Sequence, residues 1–343
     1  MTHRITAPQP PQHRLLVAAS HDDADAQTLL SWICAHLDGF EMVPVGEQPP
    51  GPPARAALVC GDKDLAERLE KDGIPSVFVA TSGTVPTGGW PASRICLLHR
   101  PRWLPAPAPE AGSGPDMSSD GSPATRPAAR SALHDARADV VVTMAPPRAV
   151  RSRGDGAVLQ LALPAGLDDE NRNMDTAAAG MLRHALATLE GAAVPVRGLV
   201  LAGRPPGANL LATMVKLLPG VEPLTGVGAA ADRLLTQASL LVSSPLLAAV
   251  AQAHTARIPL ATLPPLGVAQ QAVLRALGDV DVVVPALDPT AGAPHDARRI
   301  RDLIATPNLL AARLDDVLEL AGDDRRGAQQ VARQVRQLLL VPM

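Results

Sequence analysis

Two small hydroxyl side chains stand where they could bind phosphate. Ser243 and Ser244 follow an apolar run at 239–242 and precede a helical pattern at 246–256. This order predicts a strand end beside a helix N-terminus, where unpaired N–H groups attract anions. Serine is also a preferred N-cap residue, so a purely capping role stays open for both.

Two adjacent amides follow the next predicted strand. Gln270 and Gln271 open a helical pattern after the loop at 264–267. Parallel strands end at the same edge of a sheet, so these amides and the two serines are expected at one crevice. There the amides could bond a ribose or a diphosphate. Exposed helical glutamine is the alternative.

A third group of candidates lies earlier in this half. Arg204 comes directly after a predicted strand at 197–202, and its guanidinium could hold a diphosphate through two parallel hydrogen bonds. A surface ion pair is the other use of such a residue. The segment Thr225-Gly226-Val227-Gly228 offers backbone groups that could meet a uracil edge, although it is also typical of a plain turn.

The acidic loop after the first predicted strand could supply a base. His21, Asp22 and Asp23 follow the apolar run at 14–19, and an Asp–His pair there could accept a proton from a substrate. The same residues could instead cap the helix that follows. No metal is expected, because the three cysteines are widely spaced and no His/Cys/Asp/Glu pattern has ligand spacing.

Strand and helix patterns alternate through both halves of the sequence, which predicts two α/β domains with parallel sheets. The boundary is expected near 150–156, where charged residues and glycine interrupt the apolar pattern. The predicted parts are a disordered N-terminus at 1–13, an acceptor-side domain at 14–150, and a nucleotide-binding domain with the terminal helices at 157–343. A Pro-, Gly- and Ser-rich insertion at 105–131 is predicted to be disordered.

Composition excludes several classes of protein. Hydrophobic residues make up 46% of the 343 residues, which is enough for a large core, and there are two Phe, three Trp and no Tyr. Few aromatic side chains, a net charge of −3 and no basic block argue against nucleic-acid binding. No signal peptide or membrane span is predicted, so the expected location is cytoplasmic.

Three segments of the second half carry a family resemblance. They are Ala165-Gly166-Leu167-Asp168-Asp169, the turn Leu241-Val242-Ser243-Ser244-Pro245, and Ile258-Pro259-Leu260 leading to Leu263-Pro264-Pro265 and Gln270-Gln271. Together they resemble the nucleotide-sugar domain of GT-B glycosyltransferases. More narrowly, they resemble actinobacterial proteins of the cytosylglucuronic acid (CGA) synthase-related group.

The resemblance implies a GT-B-like α/β fold, in which two Rossmann-type domains face each other across a cleft. It implies an inverting, metal-independent transferase that moves a sugar, such as glucuronate, from a UDP-sugar to a small acceptor such as a nucleobase, in nucleoside antibiotic biosynthesis. Gly166 is among the donor contacts that it implies, and the loop of His21 to Asp23 holds the place of the base. No cofactor beyond the UDP-sugar donor is expected, and both a homodimer and a partner enzyme stay open.

Two other functions compete with this interpretation. Leu246-Leu247-Ala248-Ala249 stands where the family resemblance implies Gly and Thr, and Gln252 stands where it implies a carboxylate. These changes favour a catalytically degenerate relative that serves as an auxiliary or scaffold protein. A non-hydrolysing UDP-sugar epimerase is less favoured, because such enzymes use several carboxylates and histidines at strand ends.

Overall fold

The computed structural model describes most of the chain, and the following account concerns those residues alone. They are residues 13–47, 53–81, 89–101, 103–104, 140–147, 154–166, 168–225, 229–279, 284–321 and 325–340. The predicted disordered segments at 1–13 and 105–131 lie outside this part, except for His13, which opens the first strand. The apolar run at 280–285 predicts a further strand, most of which also lies outside the described residues.

The first half forms a six-stranded sheet whose strands are all parallel. Its strands are β1 (His13–Ala19), β2 (Phe40–Pro44), β3 (Ala56–Cys60), β4 (Ser76–Ala80), β5 (Ile95–His99) and β6 (Val140–Val142). Their order across the sheet is β2-β1-β3-β4-β5-β6. Because β1 lies between β2 and β3, the chain reverses its winding direction there, and a crevice opens beyond the C-terminal end of β1.

The second half forms a five-stranded parallel sheet. Its strands are β7 (Ala157–Leu163), β8 (Val196–Gly203), β9 (Pro223–Thr225), β10 (Leu240–Ser243) and β11 (Leu260–Thr262). The order is β11-β10-β7-β8-β9, so β7 and β10 are neighbours in the centre. Two parallel sheets built from βα units confirm the α/β fold class that the alternating patterns predicted.

Helices cover the faces of both sheets. They are α1 (Ala24–Cys34), α2 (Lys63–Lys71), α3 (Asp168–Gly191), α4 (Ala208–Leu217), α5 (Ala229–Thr236), α6 (Leu247–Ala256), α7 (Val268–Asp279), α8 (Ala293–Ala305), α9 (Leu309–Ala321) and α10 (Gly327–Leu340). Among the described residues, no helix combines the length and apolar character needed to cross a membrane.

Successive side chains of a strand point to opposite faces of its sheet, so each sheet has one core on each face. In the first sheet, α1 and α10 cover one face and α2 covers the other. In the second sheet, α5, α6, α7 and α9 lie on one face, and α3, α4 and α8 lie on the other. Strands that are covered on both faces explain the continuous apolar runs in the sequence.

The last helix returns to the first sheet. Ala328, Val331, Ala332 and Val335 of α10 are buried in the same core as Leu15 of β1. The predicted second domain at 157–343 included this helix by its place in the sequence. In the structure, α10 packs on the first sheet and completes the core of the first half.

The two halves also contact each other through α1. The Gln27 side-chain amide donates to the carbonyl of Gly203 at 3.2 Å, and the Gly203 N–H donates back to Gln27 at 3.3 Å. Gly203 has a φ of +78°, and a Cβ there would lie 2.3 Å from the Leu163 carbonyl oxygen. A glycine is therefore required where β8 ends against β7 and α1.

Candidate functional site

A cleft of about 750 Å³ lies between the two halves. Its walls are the start of α1 on one side and, on the other, the end of β7, the start of α6 and the length of α7. Most of its lining side chains are apolar, and pockets of roughly 300–1,000 Å³ with that character are the usual sites of small ligands. The cleft is therefore the candidate site.

The start of α1 forms an acidic wall of this cleft. Asp23 caps α1 by accepting from the Ala26 N–H at 3.0 Å, and it also accepts from the Thr81 hydroxyl. The carboxylate of Asp22 is exposed, and no hydrogen-bond donor within the described ranges engages it. His21 is exposed as well, but it does not line the cleft. The predicted base loop thus contributes Asp22 and Asp23 to the cleft.

Asp25 reaches across the boundary between the halves. Its carboxylate accepts from the backbone N–H of Ala248 at 2.8 Å and of Leu247 at 3.3 Å, at the N-terminus of α6. The N-cap residue of α6 is Leu246, which has no capping side chain, so Asp25 satisfies these donors instead. Helix α6 is therefore capped by the other half of the protein.

The position of Asp25 also changes its acidity. Burial raises the pKa of Asp25 to about 7, and the nearby charge of Asp23 adds to the rise. The N–H groups of Ala248 and Leu247 act in the opposite direction, because they stabilise the carboxylate. Sequence reasoning missed Asp25, because an aspartate in the first turn of a helix is ordinary and its partners lie more than 200 positions away.

Helix α7 forms the wall opposite α1. Gln270 is buried, where it accepts from the Leu266 N–H at 2.9 Å and donates to the Ala162 carbonyl at 3.0 Å. This amide holds the loop before α7 against β7. Gln271 is exposed and does not line the cleft, whereas Arg275, one turn further along α7, does.

The N-terminus of α7 opens into the same cleft. Val268 and Ala269 line it, and in the part of the chain that is described no protein acceptor pairs with their backbone N–H groups. Unpaired N–H groups at a helix start favour a bound anion. Together with Arg275, they give α7 groups that can hold negative charge, whereas Asp279 at its last residue adds a carboxylate to the lining.

Both predicted serines lie behind the cleft wall. Ser243 and Ser244 are fully buried. Ser244 Oγ accepts from the Ala162 N–H at 2.9 Å, and Ser243 Oγ donates to the Ser244 carbonyl at 2.7 Å. The Ser244 hydroxyl thus joins the end of β10 to β7, and neither hydroxyl caps α6. Their predicted contact with phosphate stays a prediction.

Arg204 is also held by the protein. All three of its guanidinium nitrogens donate to protein oxygens, including Asp175 Oδ1 at 2.7 Å and the Pro164 carbonyl at 3.0 Å. The other carboxylate oxygen of Asp175 accepts from the Gly207 N–H at 2.9 Å. The arginine lies outside the cleft lining, so its predicted role in diphosphate binding stays a prediction.

Two predicted donor-binding residues remain, Gly166 and Val227. The carbonyl of Gly166 accepts from the Asn171 amide at 2.8 Å, and a Cβ on Gly166 would meet Met174 and Glu170 within 3 Å. Val227 lies outside the described residues. Within those residues, no group of three or more His, Cys, Asp or Glu side chains has a metal-binding arrangement.

Comparison with known families matches nearly the whole chain. The family described as CGA synthase-related protein matches residues 15–132 and 121–343. The chain belongs to the CGA synthase-related family. No curated protein matches it significantly.

Solved structures identify the fold of this CGA synthase-related protein. The spinosyn rhamnosyltransferase SpnG is 13% identical, with a TM-score of 0.50 over 96% of this chain and 100% of SpnG. The same enzyme complexed with spinosyn aglycone is 14% identical, with a TM-score of 0.51 over 94% of this chain and 99% of SpnG. The structural neighbours are GT-B glycosyltransferases, and the chain has their two-sheet fold.

Proposed function

We propose that this protein is an inverting, metal-independent glycosyltransferase. It transfers a sugar such as glucuronate from a UDP-sugar to a small acceptor such as a nucleobase. The observation that carries the proposal is the cleft of about 750 Å³ between the sheets, which has carboxylates on one wall and a free helix N-terminus with Arg275 on the other. Family membership and the GT-B fold support it.

The two walls suit the two changes of charge in such a reaction. The acceptor nitrogen or oxygen forms a bond to C1 of the sugar and loses its proton, while the bond from C1 to the diphosphate oxygen breaks and UDP leaves. A carboxylate of the α1 wall beside the acceptor can take the proton, as Asp22 or Asp23 could. The α7 N-terminus and Arg275 can stabilise the charge that develops on the departing diphosphate.

Two contacts favour a second function. The α6 N-terminus, which also lies at this cleft, is already bound by Asp25, and Arg204 is bound by Asp175. In such a protein, internal carboxylates already bind the groups that could hold a diphosphate. It would keep the fold but would not catalyse the transfer. Such a protein would act as an auxiliary partner of an active enzyme.

Calorimetry with UDP and UDP-glucuronate separates the two functions. The transferase is expected to bind UDP with a dissociation constant between micromolar and low millimolar, and Arg275→Ala should weaken binding about tenfold, or 1.4 kcal/mol. Exposed Arg313 on α9, outside the cleft lining, provides the matched control, since Arg313→Ala should leave UDP binding unchanged.

The absence of heat at millimolar nucleotide would contradict the transferase and favour the auxiliary function. If UDP binds, incubation with UDP-glucuronate and a set of nucleobases, followed by mass spectrometry, tests transfer itself. Release of UDP without a glycosylated product would identify hydrolysis instead.

A further inference from the structure

The charges that line the cleft are unequal. Asp22, Asp23 and Asp25 stand on the α1 wall, and Asp279 lies on α7, whereas Arg275 is the one basic residue in the described lining. An excess of carboxylates around a partly enclosed space attracts a cation and repels a second anion. Three of these four carboxylates stand on the α1 wall, so the excess is greatest there.

The carboxylates on the α1 wall differ in what they can still bind. Asp23 is used by the Ala26 N–H and the Thr81 hydroxyl, and Asp25 by the start of α6. Asp22 has no such partner within the described ranges, and its carboxylate is exposed at the cleft. Asp22 is therefore the carboxylate available to a ligand.

Most of the remaining lining of the cleft is apolar. It includes Leu104 and the buried side chains of Leu246 and Leu247, and Val268 is 82% exposed at the start of α7. A ligand that covered Val268 would remove apolar surface from water, which contributes about 25 cal/mol for each Å². The lining thus combines a free carboxylate with unfilled apolar surface.

We propose that this cleft binds an apolar small molecule that carries a protonated amine, and that Asp22 anchors the amine. The ammonium group and the carboxylate form a charge-assisted hydrogen bond, which is stronger beside an apolar wall than in open water. If the protein is the proposed transferase, this molecule rather than a nucleobase is the acceptor; that assignment rests on the proposed function, while the class of ligand does not. The anchoring nitrogen has no lone pair to attack C1, so the acceptor's nucleophile is a separate group. Because Asp22 holds the ammonium, Asp23 is the carboxylate of the α1 wall that remains to take the nucleophile's proton.

Three naphthalene probes of similar shape test the proposal on the full chain without any nucleotide. Calorimetry is done with 1-naphthylmethylamine, 1-naphthylmethanol and 1-naphthoate. The amine is expected to bind at least about tenfold more tightly than the alcohol, a difference of 1.4 kcal/mol, and the carboxylate more weakly than both. Asp22→Asn should remove most of the preference for the amine and leave binding of the alcohol unchanged.

Asp316→Asn is the matched control, because Asp316 is exposed on α9 and does not line the cleft. It should keep the preference of the wild type. Equal affinity for the amine and the alcohol, or an amine preference that survives in Asp22→Asn, would overturn the proposal. Binding of the amine without binding of UDP would support this inference and contradict the transferase. Binding of UDP with no preference for the amine would contradict this inference and support the transferase.

Discussion

Several charged side chains of this protein bind other parts of the same chain, although their positions in the sequence suggest ligand contacts. Arg204 and Asp175 form an ion pair in which the two side chains are 10% and 13% exposed. Asp175 also bonds the backbone at Gly207, just before α4, so the pair joins α3 to the turn after β8. Arg204 therefore has a structural role, the ion pair with Asp175, whether or not it also contacts a ligand.

Arg204→Ala is expected to lower the free energy of unfolding by about 3 kcal/mol, because it leaves the Asp175 carboxylate partly buried without its partner. Urea denaturation followed by circular dichroism measures this change. Arg275→Ala, at an exposed position on α7, should change the free energy of unfolding by no more than about 0.5 kcal/mol. If both variants have the stability of the wild type, the ion pair does not contribute as described.

Asp25 should make stability depend on pH. Its pKa is about 7 in the folded protein against 3.8 for the unperturbed group, so between these values the folded state binds the proton and the unfolded state releases it. The resulting contribution to stability is complete below about pH 4 and is lost as pH rises through 7.

Asp25→Asn removes this titration, so the stability advantage of the wild type over the variant should shrink from pH 4 to pH 7. Urea denaturation at several pH values tests the slope. The control, Asp316→Asn, should run parallel to the wild type over the same range. A constant difference between the wild type and Asp25→Asn would show that Asp25 titrates normally.

At the scale of elements, the sequence predicts many of the strands well, because strands buried on both faces give short, continuous apolar runs. The apolar runs at 14–19 and 56–60 predict strands, which β1 and β3 confirm, and the amphipathic pattern at 327–340 predicts a helix, which α10 confirms. Strand β5 was missed, since its run Ile95–His99 is short and no helical pattern follows it. The pattern at 221–227 predicts a strand, and β9 confirms it over Pro223–Thr225, while 226 and 227 lie outside the described residues.

The sequence does not predict which elements contact each other as well as it predicts the elements themselves. Serine at a strand end predicts a cap or a phosphate contact, yet Ser244 bonds β7, because the register of β10 against β7 places it beside the Ala162 N–H. The spacing of residues along the sequence does not reveal how β10 is aligned with β7. It also does not reveal that the start of α6 is capped by Asp25 of α1.

Val335→Ala tests the contribution of α10 to the first sheet. Val335 is fully buried against that sheet, and its truncation should lower the free energy of unfolding by about 2 kcal/mol through lost apolar contact and an unfilled cavity. Gln329→Ala, on the exposed face of the same helix, should cost less than about 0.5 kcal/mol. Equal effects of the two substitutions in urea denaturation would contradict the packing of α10 on the first sheet.

For the whole molecule, the two halves are joined by more than a linker. Ala24 of α1 is buried in the core of the second sheet, and Ala248 of α6 is buried in the core of the first. The contacts of Gln27 and Asp25 lie between them. Domains that share cores in this way should lose their structure together.

The wild type is therefore expected to unfold in one transition in urea. Tryptophan fluorescence reports on both halves, because Trp32 is buried in the first-sheet core and Trp103 packs against the second. The fluorescence curve should coincide with the circular dichroism curve, which reports on all helices. Two separated transitions would contradict the coupling. The double variant Asp25→Ala/Gln27→Ala should shift the midpoint to lower urea.

The return of α10 also has a consequence for biosynthesis. During translation, the strands of the first sheet leave the ribosome long before residues 327–340, so the apolar face that Val331 and Val335 later cover has no permanent neighbour. Nascent chains with such a face associate readily with one another or with chaperones. Completion of the first sheet's core is thus tied to the synthesis of residues 327–340, and a ribosome that stalls before them leaves that half incomplete and prone to association.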